Sequence, residues 1–174
     1  MVTQRRDIFE RMMKDRNHGL KNRNECDYWS FNCRLDEIQS AMLRVQLKYL
    51  DQWNEQRRKL AFQYHELLSP YITVPTEGKE EYHTYQTYMI QTDHRDELLK
   101  FLNENQVEAR VHYPIAIHQQ EAAKYLKYTD QDLPVTVRMS KRIMSLPLYP
   151  GLTTEQQEWV AQLIQKFFNT KRKH

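Results

Sequence analysis

Three clusters in the 174-residue chain bring together side chains able to hold an anion or a polar substrate. The first, Ser30-Phe-Asn-Cys-Arg-Leu-Asp-Glu-Ile-Gln-Ser-Ala, runs from a loop into a helical pattern. Asn32 and Arg34 stand just ahead of that helix, where backbone N–H groups, an amide and a guanidinium together suit an anion such as phosphate. A purely structural role explains the same residues, with Asn32 capping the helix and Arg34 meeting a carboxylate. The second cluster, Arg110-Val-His-Tyr-Pro-Ile-Ala-Ile-His, carries His112 and Tyr113 to the end of a strand pattern beside a Pro-bounded turn, with His118 beyond it. Polar groups at a strand end beside a rigid turn are well placed to line a substrate pocket, although an isolated histidine more often serves packing or an internal hydrogen bond. No third His, Cys or carboxylate stands at a ligand spacing, so no metal site is assigned. The third cluster, Met144-Ser-Leu-Pro-Leu-Tyr-Pro-Gly-Leu-Thr-Thr-Glu, suits structure: Pro147 and Pro150 fix the path and Thr153 caps a helix, and no catalytic role is given to it.

The elements that must position these clusters follow from periodicity. Leu35, Ile38, Met42, Val45, Tyr49, Trp53, Leu60, Tyr64 and Leu67 recur at three-and-four spacing with no Gly or Pro before Pro70, which predicts one long helix over residues 35–68. Asp36 and Glu37 complement its positive N-terminal end, and its Trp, Tyr and Met stripe reads as core. After Pro70 the chain alternates short strand patterns, at residues 71–74, 82–92 and 107–112, with helical ones. Asp93 is placed to cap a helix bearing Leu98, Leu99 and Leu102, and Thr153-Thr-Glu-Gln fits a capping box before a final helix with Trp159, Leu163, Ile164, Phe167 and Phe168. Residues 70–170 therefore form a small α+β domain, with residues 35–69 as a connecting helix and 171–174 as a basic tail. Residues 7–20 carry Ile8, Phe9, Met12 and Met13 on a helix with no sheet to cover, so apolar surface is expected to remain for a further segment or a partner chain.

Composition sets the class. The chain is 40% hydrophobic and 28% charged, in the ordinary range of one globular domain. Twenty-six basic and 23 acidic residues give +3 with no broad single-sign field, so nucleic acid is not an expected partner, and the run from Lys171 to His174 reads as a solvated tail. There is no span-length apolar stretch and no signal peptide, which predicts a soluble, cytoplasmic protein without a membrane partner. Cys26 and Cys33 match no zinc pair or disulfide framework and read as reduced thiols.

In order, these clusters resemble the DegT/DnrJ/EryC1/StrS family of sugar aminotransferases across nearly the whole chain. Asn17-His-Gly-Leu is similar to the family's His-Gly element, residues 30–41 to its Gly-x-Asn-x-Arg stretch and helix, residues 110–118 to its His-Tyr-Pro element, and residues 145–152 to its Leu-Pro-x-Tyr-Pro-Gly element. The resemblance implies the C-terminal portion of a type I pyridoxal-phosphate (PLP) aminotransferase fold, α/β in class, working as a homodimer with sites at the subunit interface. It implies amino transfer from glutamate or glutamine to a nucleotide-linked keto sugar. Asn32 then matches a position that reaches the cofactor phosphate of the neighbouring subunit, with Arg34 assigned to cofactor binding beside it. His112 and Tyr113 match positions near the sugar nucleotide, with His118 assigned to the same substrate pocket.

The family's cofactor-stacking, pyridinium-pairing and Schiff-base residues precede the His-Gly element, so residues 1–34 read as a remnant of the large cofactor-binding domain. No lysine here is assigned as the Schiff base, and no turnover is expected of the chain alone. Three positions depart from the family pattern: Ser30 for Gly, Val137 for Glu, and Gln106 where Gly commonly precedes the strand, the first and last at points that can demand positive φ. These departures leave a second reading, a non-catalytic interaction module or partner subunit derived from the family. An unrelated α+β binding domain would require four ordered matches by coincidence.

Overall fold

A computed structural model describes residues 3–171, and the tail beyond Lys171 lies outside them. The chain divides into two compact units, residues 1–50 and 51–174.

The first unit contains helix α1 (Arg6–Asp15), an irregular loop and helix α2 (Glu37–Gln46). The loop folds on itself through isolated antiparallel bridges, Asn17↔Asn32 and Leu20↔Cys26. Backbone bonds from His18 N to Phe31 O (2.9 Å) and from Cys33 N to Arg16 O (3.0 Å) flank the first of these. Gly19 has φ +73°, and a Cβ there would lie 1.8 Å from the Tyr28 carbonyl oxygen, so both conformation and close approach demand glycine. No hydrophobic side chain of this unit is buried among the described residues; Trp29 (98% exposed) and Phe31 (84%) protrude, and Leu35, Ile38, Met42 and Val45 are exposed. Both cysteines are free and exposed.

The expected single helix over residues 35–68 begins at Glu37 and is interrupted by a 3-10 turn at Leu47–Tyr49 before α3 (Leu50–Leu68). Neither Gly nor Pro marks the interruption, so side-chain spacing alone did not reveal it.

The second unit holds α3, β1 (Tyr88–Gln91), α4 (Arg95–Glu104), α5 (Pro134–Ser140), β2 (Ile143–Leu146) and α6 (Thr154–Lys171). β1 and β2 are antiparallel, with Tyr88 opposite Leu146 and Met89 opposite Ser145. The strand patterns at residues 71–74 and 107–112 do not become ladders; each joins the sheet by one bridge, Thr73↔Gln91 and Arg110↔Ser145. Among the fully buried side chains are Tyr64 and Leu68 of α3, Tyr88 and Ile90 of β1, Leu98 and Leu102 of α4, Met144 of β2 and Ile164 of α6. These are the apolar faces of three helices and two strands meeting in one core. Tyr64 and Tyr88 rings lie 5.0 Å apart, and burial pushes both phenols well above the usual tyrosine range. The Tyr64 hydroxyl donates to Pro147 O (3.2 Å), and the α6 amides of Gln157 and Gln165 donate to the α3 carbonyls of Leu60 and Leu67.

Arg95, capped behind His94 rather than Asp93, lies buried at the start of α4 and donates to Ser140 O (3.0 Å) and Ile143 O (3.3 Å), which fastens α4 to the turn entering β2. The capping box forms as expected: Gln156 N donates to Thr153 Oγ1 and Thr153 N to Gln156 Oε1. No helix among the described residues is long and apolar enough to cross a membrane.

Of the three departures from the family pattern, Gln106 sits at φ +63°, whereas Ser30 is not among the positive-φ residues and its hydroxyl donates to Asp15 O (2.9 Å). Strain is thus stored at residue 106 and not at 30, where the hydroxyl fastens the loop to the end of α1. Left-handed backbone costs a residue with a Cβ about 1–2 kcal/mol, part of which Gly gives back through its freer unfolded chain. Gln106→Gly is expected to raise stability by roughly 0.5–1 kcal/mol and Gln106→Val to lower it, both measured by urea unfolding.

Candidate functional site

In the first unit, α1 and the folded loop border an open cavity of about 740 Å³. Phe9, Met13 and Leu20 give it an apolar wall, and Lys14, Lys21, Arg23 and Arg34 give it four cations against Glu10. The Asn17↔Asn32 bridge sets the arrangement, because it carries Arg34 back beside α1, where the guanidinium donates to Asn17 Oδ1. Asn32 is exposed and does not line the cavity; the residue that meets Arg34 is Asn17. Lys14 pairs with Asp27, which raises the lysine and holds the Asp27 carboxyl below the usual range, the hydrogen bond being the main cause of both. Ahead of α2, Asp36 N donates to the Gln39 side chain (3.4 Å), so the helix is entered through its own acidic cap rather than through Asn32. Sequence reading found Arg34 but not Asn17, Lys21 or Arg23, whose convergence depends on the loop doubling back.

In the second unit, the Arg110↔Ser145 bridge delivers the residues of the second cluster. His112 Nδ1 lies 3.0 Å from Ser145 Oγ, and the His112 and Tyr113 rings meet edge to face at 5.7 Å. Tyr113 is 75% exposed, and its neighbours Ile115 and Ile117 are exposed too. His118 behaves differently: it is buried, and its Nε2 is 3.0 Å from Asp130 Oδ1, which Gln119 Nε2 also donates to (2.9 Å). These bonds, Gln119's first and His118's second, hold Asp130 below the usual carboxylate range. His118 Nδ1 is buried without a hydrogen-bond partner. The structure therefore leaves Tyr113 in the open with His112 half-buried against Ser145 beside it, and uses His118 to tie residues 116–119 to residue 130.

Mixed helix and sheet of this kind is the small-domain portion of an aminotransferase fold, and the chain belongs to the DegT/DnrJ/EryC1/StrS aminotransferase family, whose pattern it matches over residues 1–165. It is 36% identical over 97% of its length to a pleiotropic regulatory protein of Geobacillus stearothermophilus. It is 29% identical over 96% to the dTDP-3-amino-3,6-dideoxy-alpha-D-galactopyranose transaminase of Aneurinibacillus thermoaerophilus. It superposes on the crystal structure of S. venezuelae DesV in complex with a ketimine intermediate with a TM-score of 0.85, at 28% identity over 95% of the chain. It spans about half the length of these relatives, 46%, 46% and 45% respectively.

The His118–Asp130 pair has a pH signature. Because the folded Asp130 carboxyl lies below its unfolded value of about 3.9, its contribution is present above that value and fades as pH falls through the lower folded one. Asp130→Ala, which leaves the buried His118 ring unpaired, is expected to lower the urea midpoint at neutral pH, to lose the wild type's corresponding acid-limb slope, and to speed amide exchange across residues 116–130.

Proposed function

We propose that the complete protein is a PLP-dependent aminotransferase that moves an amino group from glutamate or glutamine to a nucleotide-linked keto sugar, as a cytoplasmic homodimer. In this reading the present chain supplies the small domain, residues 70–170, and the phosphate-holding loop of residues 17–34. The observation that carries it is the basic cavity, where the Arg34 guanidinium is aimed by Asn17 beside Lys14, Lys21 and Arg23. A planar guanidinium with neighbouring ammonium groups is the donor set that a phosphate requires, so these residues fit the cofactor's phosphate or another phosphate monoester. When bound, PLP serves as the electron sink that carries the amino group between donor and sugar.

The chain's own residues bind and orient. Arg34 holds a phosphate in the basic cavity, and the exposed Asn32 amide, which stands outside that cavity, reaches toward the cofactor phosphate in a neighbouring subunit's site. His112 and Tyr113, at the open end of the segment bridged to β2, contact the sugar nucleotide. His118 acts through Asp130, holding the loop that follows them. None of the lysines here is assigned to bond the cofactor.

Cofactor retention tests this directly. In the complete protein, Asn32→Ala and Arg34→Ala are each expected to release PLP more readily on dialysis, by roughly tenfold in apparent affinity, the size of one lost charge-assisted hydrogen bond; unchanged retention removes both residues from the cofactor site. His112→Gln and Tyr113→Phe are expected to raise KM for the sugar nucleotide or lower kcat with cofactor content unchanged.

A second reading, a non-catalytic regulatory or partner subunit, draws support from the regulatory name of the G. stearothermophilus relative. It predicts a complete protein that retains no PLP and whose Asn32 and Arg34 variants change partner binding instead.

A further inference from the structure

Ser145 lies at the middle of the sheet, and its backbone is committed on one side. Its N donates to Arg110 O (2.7 Å) and its O accepts from Arg110 N (3.2 Å), while Met89 stands opposite on β1. Side chains alternate along extended chain, so Met144 and Leu146 enter the core and Ser145 projects to the other face. Val111 packs against the core, and its neighbours Arg110 and His112 therefore share the face of Ser145. The Ser145 hydroxyl is buried there, and its hydrogen-bond partner is His112 Nδ1 at 3.0 Å.

A hydroxyl has one proton and two lone pairs, and an imidazole nitrogen is either donor or acceptor. Were Nδ1 to carry the proton, it would donate to Ser145 Oγ and the buried hydroxyl proton would have no other acceptor among the described residues. With Nδ1 unprotonated, Ser145 donates to it and both groups are satisfied. The neutral ring then carries its proton on Nε2, the nitrogen directed away from the sheet's buried contact.

We infer that Ser145 is a positioning residue that holds His112 as the Nε2–H tautomer, so that His112 meets the sugar nucleotide as a hydrogen-bond donor to an oxygen acceptor rather than as a base that removes its proton. The inference rests on the proposal that His112 contacts substrate, and deepens it: the group recognised is a carbonyl, hydroxyl or phosphate oxygen with a lone pair turned to Nε2. The tertiary device is small: one buried hydroxyl, placed by the strand pairing on the face that His112 shares.

The tautomer is read by long-range ¹H–¹⁵N correlation of the histidine rings in the chain itself above neutral pH, with the His112 signals assigned by their loss in His112→Gln. The wild type and Ser145→Thr are expected to show protonated Nε2 and unprotonated Nδ1, and Ser145→Ala to show a mixture of tautomers. Protonated Nδ1 in the wild type, or an unchanged Nε2–H tautomer in Ser145→Ala, overturns the inference. In the complete protein, Ser145→Ala is expected to raise KM for a dTDP-linked keto sugar about tenfold with kcat little changed, and Ser145→Thr to restore it. If His112→Gln raises KM and Ser145→Ala does not, the positioning role is refuted while the substrate contact stands; if neither does, it is the substrate contact that fails.

Discussion

Two hydrogen bonds between the backbones of Arg110 and Ser145 govern what the second unit can present. Among the described residues they form the backbone bridge that joins the segment after α4 to the sheet, just ahead of His112, while the His118–Asp130 contact ties the chain farther on. Behind the bridge, Arg95 pins the chain entering β2 and the Tyr64 hydroxyl pins the chain leaving it, so β2 is held at both ends as well as along its length. A side chain at the end of such a segment has few alternative positions, which is the preorganisation that a substrate contact needs. The same economy explains why Ser145 is polar in a strand whose neighbours Met144 and Leu146 are buried: its face belongs to His112 rather than to the core.

The first unit obeys a different constraint. It buries no hydrophobic side chain among its described residues, so it is shaped by backbone pairing and by Gly19 rather than by a core. The close approach of Gly19 to Tyr28, and the Asn17↔Asn32 bridge beside it, double the loop back and bring Arg34 to the cations of α1 and residues 21–23. A basic cavity with one apolar wall results from that folding, although the net charge of the whole chain is only +3. Local convergence rather than overall charge gathers these cations, and the proposed phosphate contact rests on it.

Much of this was legible in the residues. Thr153 and Gln156 announced the start of α6 through their reciprocal spacing, and the buried stripe of α3, α4 and α6 followed the three-and-four rhythm of the sequence. The interruption at Leu47–Tyr49 was not legible, because no Gly or Pro accompanies it. Residues 71–74 and 107–112 have strand composition but each finds a partner at only one position, and β propensity cannot foresee how long a neighbour runs alongside. α5 was missed although Pro134 stands at its first turn, a usable signal. At the site, His112 and Arg34 could be picked out by type and context, whereas Ser145 and Asn17 could not: their roles arise from pairings across 33 and 17 residues of chain. His118 looked like His112 in sequence and differs from it in burial and in its partner, Asp130 in place of Ser145.

The proposed reaction moves an amino group onto a nucleotide-linked keto sugar in the complete protein, with the loop of residues 17–34 and the segment of residues 110–118 as its binding elements. The most direct measurement is to incubate the complete, PLP-loaded protein with glutamate or glutamine labelled with ¹⁵N at the α-amino group, together with dTDP-, UDP- and GDP-linked keto sugars, and to locate the label by mass spectrometry. The account predicts ¹⁵N on the sugar ring of at least one of them, in place of the keto oxygen. Retained cofactor with no label on any of the sugars would contradict it.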